Sequence, residues 1–211
     1  MLRGLYPIVD VDSLRRANLS VVECAEQVLA ARPSLLQLRA KSAGARETLE
    51  LLRALLPICH ASGAWLFAND RPDLALLAGA DGVHVGQNDL PLAEVRRLAP
   101  SLRVGVSTHS RSQLAAALAE RPDYVAFGPV FATASKPDHE SVVGLDGLAD
   151  AHELARAAGV PLVAIGGITL ERASSVAPHA ELHAVIGALL PESGLAGIAE
   201  QARALVAAFA R

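Results

Sequence analysis

Cysteine is almost missing. The 211 residues hold two, Cys24 and Cys59, and they form no C-x-x-C pair. That excludes a disulfide scaffold and a cysteine-built metal site, and leaves two reduced core thiols, as expected of a cytoplasmic protein. Long apolar runs are also lacking, so no membrane partner is expected. The opening residues, Met1 to Asp10, lack a secretory hydrophobic region and read at once as a strand. There is no basic block: 19 Lys and Arg stand against 22 Asp and Glu, a formal net charge of -3. That balance argues against a nucleic-acid partner and confines any anion site to a local cluster. No linker, low-complexity tract or shift in composition interrupts residues 1–211, which read as one domain. The sequence is compatible with a homo-oligomer as well as a monomer.

What is present is a globular chain, 52% hydrophobic and 19% charged. Short β-branched runs alternate with Ala- and Leu-rich segments of helical period. Strands are predicted over 4–10, 34–39, 64–68, 82–85, 102–106, 124–127, 161–165 and 182–186. Helices are predicted over 20–31, 45–62, 72–78, 91–98, 110–119, 146–158, 169–176 and 195–209. Ser20 with Glu23 makes a capping box, and Pro72 suits a first helical turn. Eight strand-then-helix units imply parallel pairing with right-handed crossovers, hence a closed (β/α)8 TIM barrel. An open doubly wound sheet is the other arrangement, but no G-x-G-x-x-G follows the first strand.

Functional groups of such a barrel gather where its strands end. After the second strand, Gln37, Arg39 and Lys41 occupy every second position, so an extended chain would turn one amide and two cations the same way. That suits a polyanion, although Arg39 and Lys41 also fit ordinary solvated charges. Asp70 and Asp89 follow the third and fourth strands, close enough to share a hard cation such as Mg2+. Spacing alone favours them as helix N-caps; the cationic cluster one strand away argues for the metal. Gly166-Gly167 and Gly187 follow the seventh and eighth strands, where barrels often bind a phosphate on backbone N–H groups, and where tight turns also need glycine. His84, inside a strand, reads as packed or hydrogen-bonded, and His109 as a cap or brace for the next helix. No Ser/His/Asp or Cys/His nucleophile set is recognisable.

Six motifs occur in order: Q-L-R-x-K at 37–41, N-D-R-x-D-L-A at 69–75, G-V-H-V-G-Q-x-D-L-P at 82–91, G-x-S-T-H at 105–109, D-Y-V-x-F-G-P-V-F-x-T-x-S-K at 123–136 and V-A-I-G-G-I at 163–168. Together the set closely resembles the thiamine-phosphate synthase family. The resemblance implies an enzyme that joins 4-amino-5-hydroxymethyl-2-methylpyrimidine pyrophosphate to 4-methyl-5-(2-phosphoethyl)thiazole, or its carboxylated form. The products are thiamine phosphate and pyrophosphate. It assigns Gln37, Arg39, Lys41 and Lys136 to pyrophosphate, Asp70 and Asp89 to Mg2+, and Asn69, Ser107 and Thr133 to further polar contacts. Arg39, Lys41, Lys136 and Ser107 are thereby the catalytic candidates. Gly167, Ile186 and Gly187 fall at the thiazole-phosphate loops, and residues 133–145 are the candidate lid. The chain departs from the family pattern at Ala40, where Asp is frequent, and at Gly187, where a serine is usual. The second change removes one hydrogen bond to phosphate, a loss of ~1 kcal/mol. Two other readings attach to the resemblance. One is a thiazole tautomerase, an isomerase of the same fold that commonly lacks the Asn-Asp pair and carries a histidine where this chain has Pro129. The other is a non-catalytic sensor of phosphate ligands, supported by Gly187.

Overall fold

The computed structural model describes residues 2–133, 141–191 and 193–210. Eight parallel strands close into a barrel in sequence order. They are β1 (Gly4–Asp10), β2 (Leu35–Arg39), β3 (Trp65–Asn69), β4 (Gly82–Val85), β5 (Arg103–Thr108), β6 (Tyr124–Phe127), β7 (Leu162–Ile165) and β8 (Leu182–Val185). The helices around them are α1 (Val11–Arg16), α2 (Val21–Leu29), α3 (Ala45–Ser62), α4 (Pro72–Ala78), α5 (Leu92–Leu98), α6 (Arg111–Ala119), α7 (Gly144–Ala158), α8 (Ala173–Val176) and α9 (Leu195–Phe209). Among the described residues, no helix is long and apolar enough to cross a membrane.

Alternation along each strand builds two cores. One face looks out to the helices, where Leu36, Leu38, Leu66, Val83, Val104 and Val125 pack against residues such as Leu52, Leu55 and Leu114. Each such side chain contributes ~1.5–3 kcal/mol on burial. The other face fills the barrel with Tyr6, Ile8, Leu35, Phe67, Tyr124, Val163 and Leu182. The two largest rings are accommodated by glycine. A Cβ on Gly105 would lie 2.0 Å from the Tyr124 ring, and one on Gly82 would lie 2.4 Å from the Phe67 ring. At the N-terminal end of the barrel, acids on three loops pin neighbouring strands. Asp81 accepts from Leu66 N–H, Asp123 from Val104 N–H and Glu181 from Leu162 N–H, each at 2.8 Å. Those contacts satisfy backbone donors that would otherwise lack a partner at a strand start.

Several boundaries differ from the sequence expectation. The short α1 was not anticipated; Asp10 creates it by accepting from Ser13 N–H as N-cap. The helix expected over 169–176 begins only at Ala173. Residues between β7 and α8 instead form turns that start from Gly166 at φ +100° and Gly167 at φ +63°. Ser20 caps α2 as expected, accepting from Glu23 N–H, and Pro57 lies inside α3. Cys24 and Cys59 are buried and unpaired, and burial pushes their thiols up to about 11 and about 12.

Candidate active site

The C-terminal mouth of the barrel contains a cavity with about 320 Å³ of free space, its opening included, lined among others by Gln37, Arg39, Asn69, His84, Ile165 and Ile186. Gln37 and Arg39 share the inward face of β2, as the alternation requires. They have different neighbours. Gln37 is 2% exposed and reaches the floor, donating through Nε2 to the Tyr6 hydroxyl at 2.7 Å. Arg39 sits higher, its Nη1 donating to Asp10 Oδ1 at 2.7 Å across the β1–β2 pairing. The Asp10 carboxylate is nearly fully buried and also accepts from the Ser13 hydroxyl at 2.6 Å. It therefore holds the arginine at a fixed place on the rim. Lys41 lies beyond the end of β2, exposed, with its ammonium on the Asp70 carboxylate.

Asp70 does not cap the following helix. α4 has Arg71 in the N-cap position with no side-chain cap bond. Asp70 instead adopts φ +63°, with its N–H donating to the His84 carbonyl at 2.8 Å. Asp89 does not cap α5 either: Pro91 occupies that position, and Asp89 Oδ2 accepts from Gly86 N–H at 2.8 Å. The cap reading of both acids is thus corrected. Freed from helix ends, the two carboxyl groups lie near enough to act on each other electrostatically. Burial pushes Asp70 up and the adjacent Asp89 pushes it further, while Lys41 pulls it down; the net direction is upward. Two carboxylates forced together, with one cation to offset them, have the donor chemistry of a Mg2+ site completed by substrate oxygens. Among the described residues, no three His, Cys, Asp or Glu side chains gather as an all-protein metal cage would need.

Asn69 ends β3 and lines the cavity. Ser107, 4% exposed near the end of β5, hydrogen-bonds to His84 Nε2 at 2.7 Å. Its carbonyl accepts from Gln87 Nε2 at 2.6 Å. His84 is the packed, hydrogen-bonded residue the sequence suggested, whereas the His109 ring braces the β6 loop instead of the next helix, through Nδ1 to the Gly128 carbonyl at 2.7 Å, and Ser110 caps that helix. Across the mouth the groups change character. The Gly166-Gly167 turn packs against the β6 loop so tightly that a Cβ on Gly167 would lie 2.5 Å from the Ala132 carbonyl oxygen. Arg172 reinforces that turn, donating to the Gly167 carbonyl at 2.8 Å and covering the Phe131 ring at 4.7 Å. Ile186 leads into a 3-10 turn at Gly187–Leu189. Thr133 is half-buried at the edge of the described residues. Lys136 and residues 134–140 of the candidate lid lie outside them.

Three members of this mouth escaped the sequence reading. Asp10 had a signal: an acid closing the first strand, at the same level as Arg39. Tyr6 and Tyr124 had only their alternation, which does not say which face of a strand turns inward before the barrel's register is known.

Residues 5–189 match the thiamine monophosphate synthase family. A thiamine-phosphate synthase of Chloroflexus aurantiacus is 38% identical over 204 residues, covering 96% of this chain and 92% of the relative. One from Anaeromyxobacter dehalogenans is 44% identical over 202 residues, covering 92% and 86%. Among solved structures, a thiamine phosphate pyrophosphorylase from Pyrococcus furiosus superimposes with a TM-score of 0.84 at 31% identity, covering 98% of this chain and 96% of that one.

Proposed function

The chain belongs to the thiamine monophosphate synthase family, and we propose that it makes thiamine phosphate by letting pyrophosphate depart before the new bond forms. It is a transferase of thiamine biosynthesis acting on small phosphorylated substrates. The carbon–oxygen bond between the pyrimidine methylene and the diphosphate breaks. Both electrons leave with the diphosphate, and the methylene cation is stabilised by the amino-substituted ring. The thiazole nitrogen then donates its lone pair to that carbon. No general base or nucleophile is required of the protein in such a reaction.

The protein's task is to stabilise charge as it accumulates on the leaving group. Arg39, anchored by Asp10, presents the rest of its guanidinium to the diphosphate. Lys41 can turn from Asp70 to the same oxygens once the carboxylates are neutralised elsewhere. Ser107 and Asn69 supply neutral contacts, and Gln37 shapes the floor. Thr133 extends the site from the β6 loop, and the family resemblance adds Lys136 to the diphosphate contacts. Asp70 and Asp89 would hold a magnesium ion, which when bound supplies a divalent charge and an orienting contact for the diphosphate. The glycine loops carrying Gly167, Ile186 and Gly187 would receive the thiazole phosphate, whose binding positions the nucleophilic nitrogen. The buried reduced thiols support a cytoplasmic setting.

The observation that carries this reading is the juxtaposition of Asp70, Asp89 and Lys41 beside the tethered Arg39. The test is direct. Purified protein given both substrates and Mg2+ should release pyrophosphate and thiamine phosphate in equal amounts, and should stop when the metal is chelated. Full turnover in chelator would remove the metal from the reading. Isomerisation of a thiazole without any pyrimidine substrate would replace the synthase by an isomerase.

A further inference from the structure

Five side chains from five strands are joined in line across the barrel interior. Gln37 Nε2 donates to the Tyr6 hydroxyl at 2.7 Å, and the Tyr6 and Tyr124 hydroxyls are 2.6 Å apart. The Tyr124 hydroxyl meets His84 Nδ1 at 2.9 Å, and His84 Nε2 meets Ser107 Oγ at 2.7 Å. All five are buried, none more than 7% exposed. Burial pushes both phenols far above their ordinary value, so each keeps its hydrogen.

The hydrogens along this line can be placed by counting donors. An amide nitrogen only donates, so the Tyr6 oxygen accepts from Gln37 and the Tyr6 hydrogen goes to Tyr124. The Tyr124 oxygen then accepts, and its own hydrogen goes to His84 Nδ1. A neutral imidazole that accepts at Nδ1 carries its hydrogen on Nε2, and that nitrogen faces Ser107. The serine oxygen therefore accepts from the floor, and its hydroxyl hydrogen must be given elsewhere. Were the line reversed, Ser107 would give its hydrogen to His84 and offer only lone pairs to a ligand.

We propose that Gln37, Tyr6, Tyr124 and His84 form an orienting relay that fixes Ser107 as a hydrogen-bond donor to an anionic oxygen of the departing diphosphate. This rests on the reading of the mouth as a diphosphate site. Tyr6, Tyr124 and His84 are positioning residues: they act through Ser107. A donor already turned toward the place where negative charge grows needs no reorganisation at the moment of bond cleavage, which favours the transition state over the ground state.

The direction can be read on protein without substrates. In protein carrying 15N in its histidine rings, His84, assigned by its absence from a His84→Gln variant, should show a bare Nδ1 and a protonated Nε2. Tyr124→Phe keeps the ring and removes the hydroxyl. It should lose that tautomer signature and lower kcat roughly ten-fold, with the KM of both substrates changed less than about two-fold. Tyr6→Phe, one link further from Ser107, should lower kcat less, and it carries the kinetic test if Tyr124→Phe fails to fold. A protonated Nδ1 in the unaltered protein overturns the relay's direction. Wild-type kcat in the phenylalanine variants, or a change confined to KM, overturns its role. The spectrum requires no turnover, so a protein that made no thiamine phosphate would sink the synthase reading while the ring nitrogens still judged the relay.

Discussion

The two halves of the barrel mouth are built from different materials. From β1 to β5 the rim carries side-chain charge and polar groups: Asp10, Arg39, Lys41, Asn69, Asp70, Asp89 and Ser107. From β6 to β8 its described residues are chiefly backbone and apolar surface, Gly166, Gly167, Ile165, Ile186 and Gly187, with Thr133 at their edge. The charged half holds its groups by ion pairs and hydrogen bonds. The glycine half holds its shape by close backbone approach, with no room for a Cβ at Gly166 or Gly167. A reaction in which one substrate must lose a multiply charged group, and the other need only be placed, calls for this division. Charge stabilisation needs ionisable and polar side chains already held in place; placement needs a rigid backbone.

If the halves divide the work in this way, damage to the first should appear in kcat and damage to the second in the KM for thiazole phosphate. The largest effect belongs to the acidic pair. Asp89→Asn should lower turnover by at least about 10³-fold, as should chelation of Mg2+. Thermal stability should hardly change, because Asn can still accept from Gly86 N–H. A variant that retained more than a tenth of its activity would break the comparison at its strongest point.

A pH titration of stability sharpens the comparison by isolating a group outside both halves. His183, on β8, is 1% exposed and stacks on Phe209 at 4.2 Å. Burial pushes it from 6.5 down to about 4. The folded protein thus keeps it neutral while the unfolded chain takes up a proton, so its contribution is full above pH 6.5 and is lost as pH falls toward 4. The loss amounts to about 3 kcal/mol at the acid end. Urea melts of the protein and of His183→Leu, at pH 7 and pH 4.5, should show the variant losing less stability over that interval. Parallel losses would mean that His183 is not the group responsible.

Asp10→Asn is a smaller perturbation of the charged half. Asparagine still caps α1, so the fold should be kept, but Arg39 loses its charged anchor. kcat/KM for the pyrimidine substrate should fall roughly ten-fold, with the KM for thiazole phosphate unaffected. Equal losses on both substrates would blur the division between the halves.

The fold was readable because eight alternations of strand and helix leave few alternatives once parallel pairing is required. Gly4–Asp10, Ala45–Ser62, Pro72–Ala78, Gly82–Val85, Tyr124–Phe127 and Leu195–Phe209 are found where pattern placed them. What stayed hidden depends on contacts distant in sequence. Asp70 looks like a cap beside Pro72, and only the positive φ that turns it toward Asp89 shows otherwise. The alternation of Gln37, Arg39 and Lys41 was legible; that the first would be taken by Tyr6, the second by Asp10 and the third by Asp70 was not. Those partners come from β1 and β3, and their reach follows from barrel closure. The late start of α8 has the same origin, since the turn before it is set by the β6 loop against which Gly167 packs.

The finest test of the comparison adds a side chain to the half that has few. Gly187 opens a 3-10 turn, a backbone conformation that serine adopts without strain, and it is exposed at the mouth. Gly187→Ser would place a hydroxyl where relatives of this chain usually carry one, as the motif comparison implied. If the β8 loop receives the thiazole phosphate, one added hydrogen bond to a charged oxygen should lower its KM about five-fold, which corresponds to ~1 kcal/mol. kcat should stay the same, because the phosphate is far from the breaking bond and is bound equally in ground and transition states. Were kcat to rise instead, with KM unchanged, the glycine half would be taking part in charge development, and the two sides of the mouth would have to be treated as one electrostatic unit. Were neither to move, the thiazole phosphate would lie elsewhere, and the Gly166-Gly167 turn alone would be left to bind it.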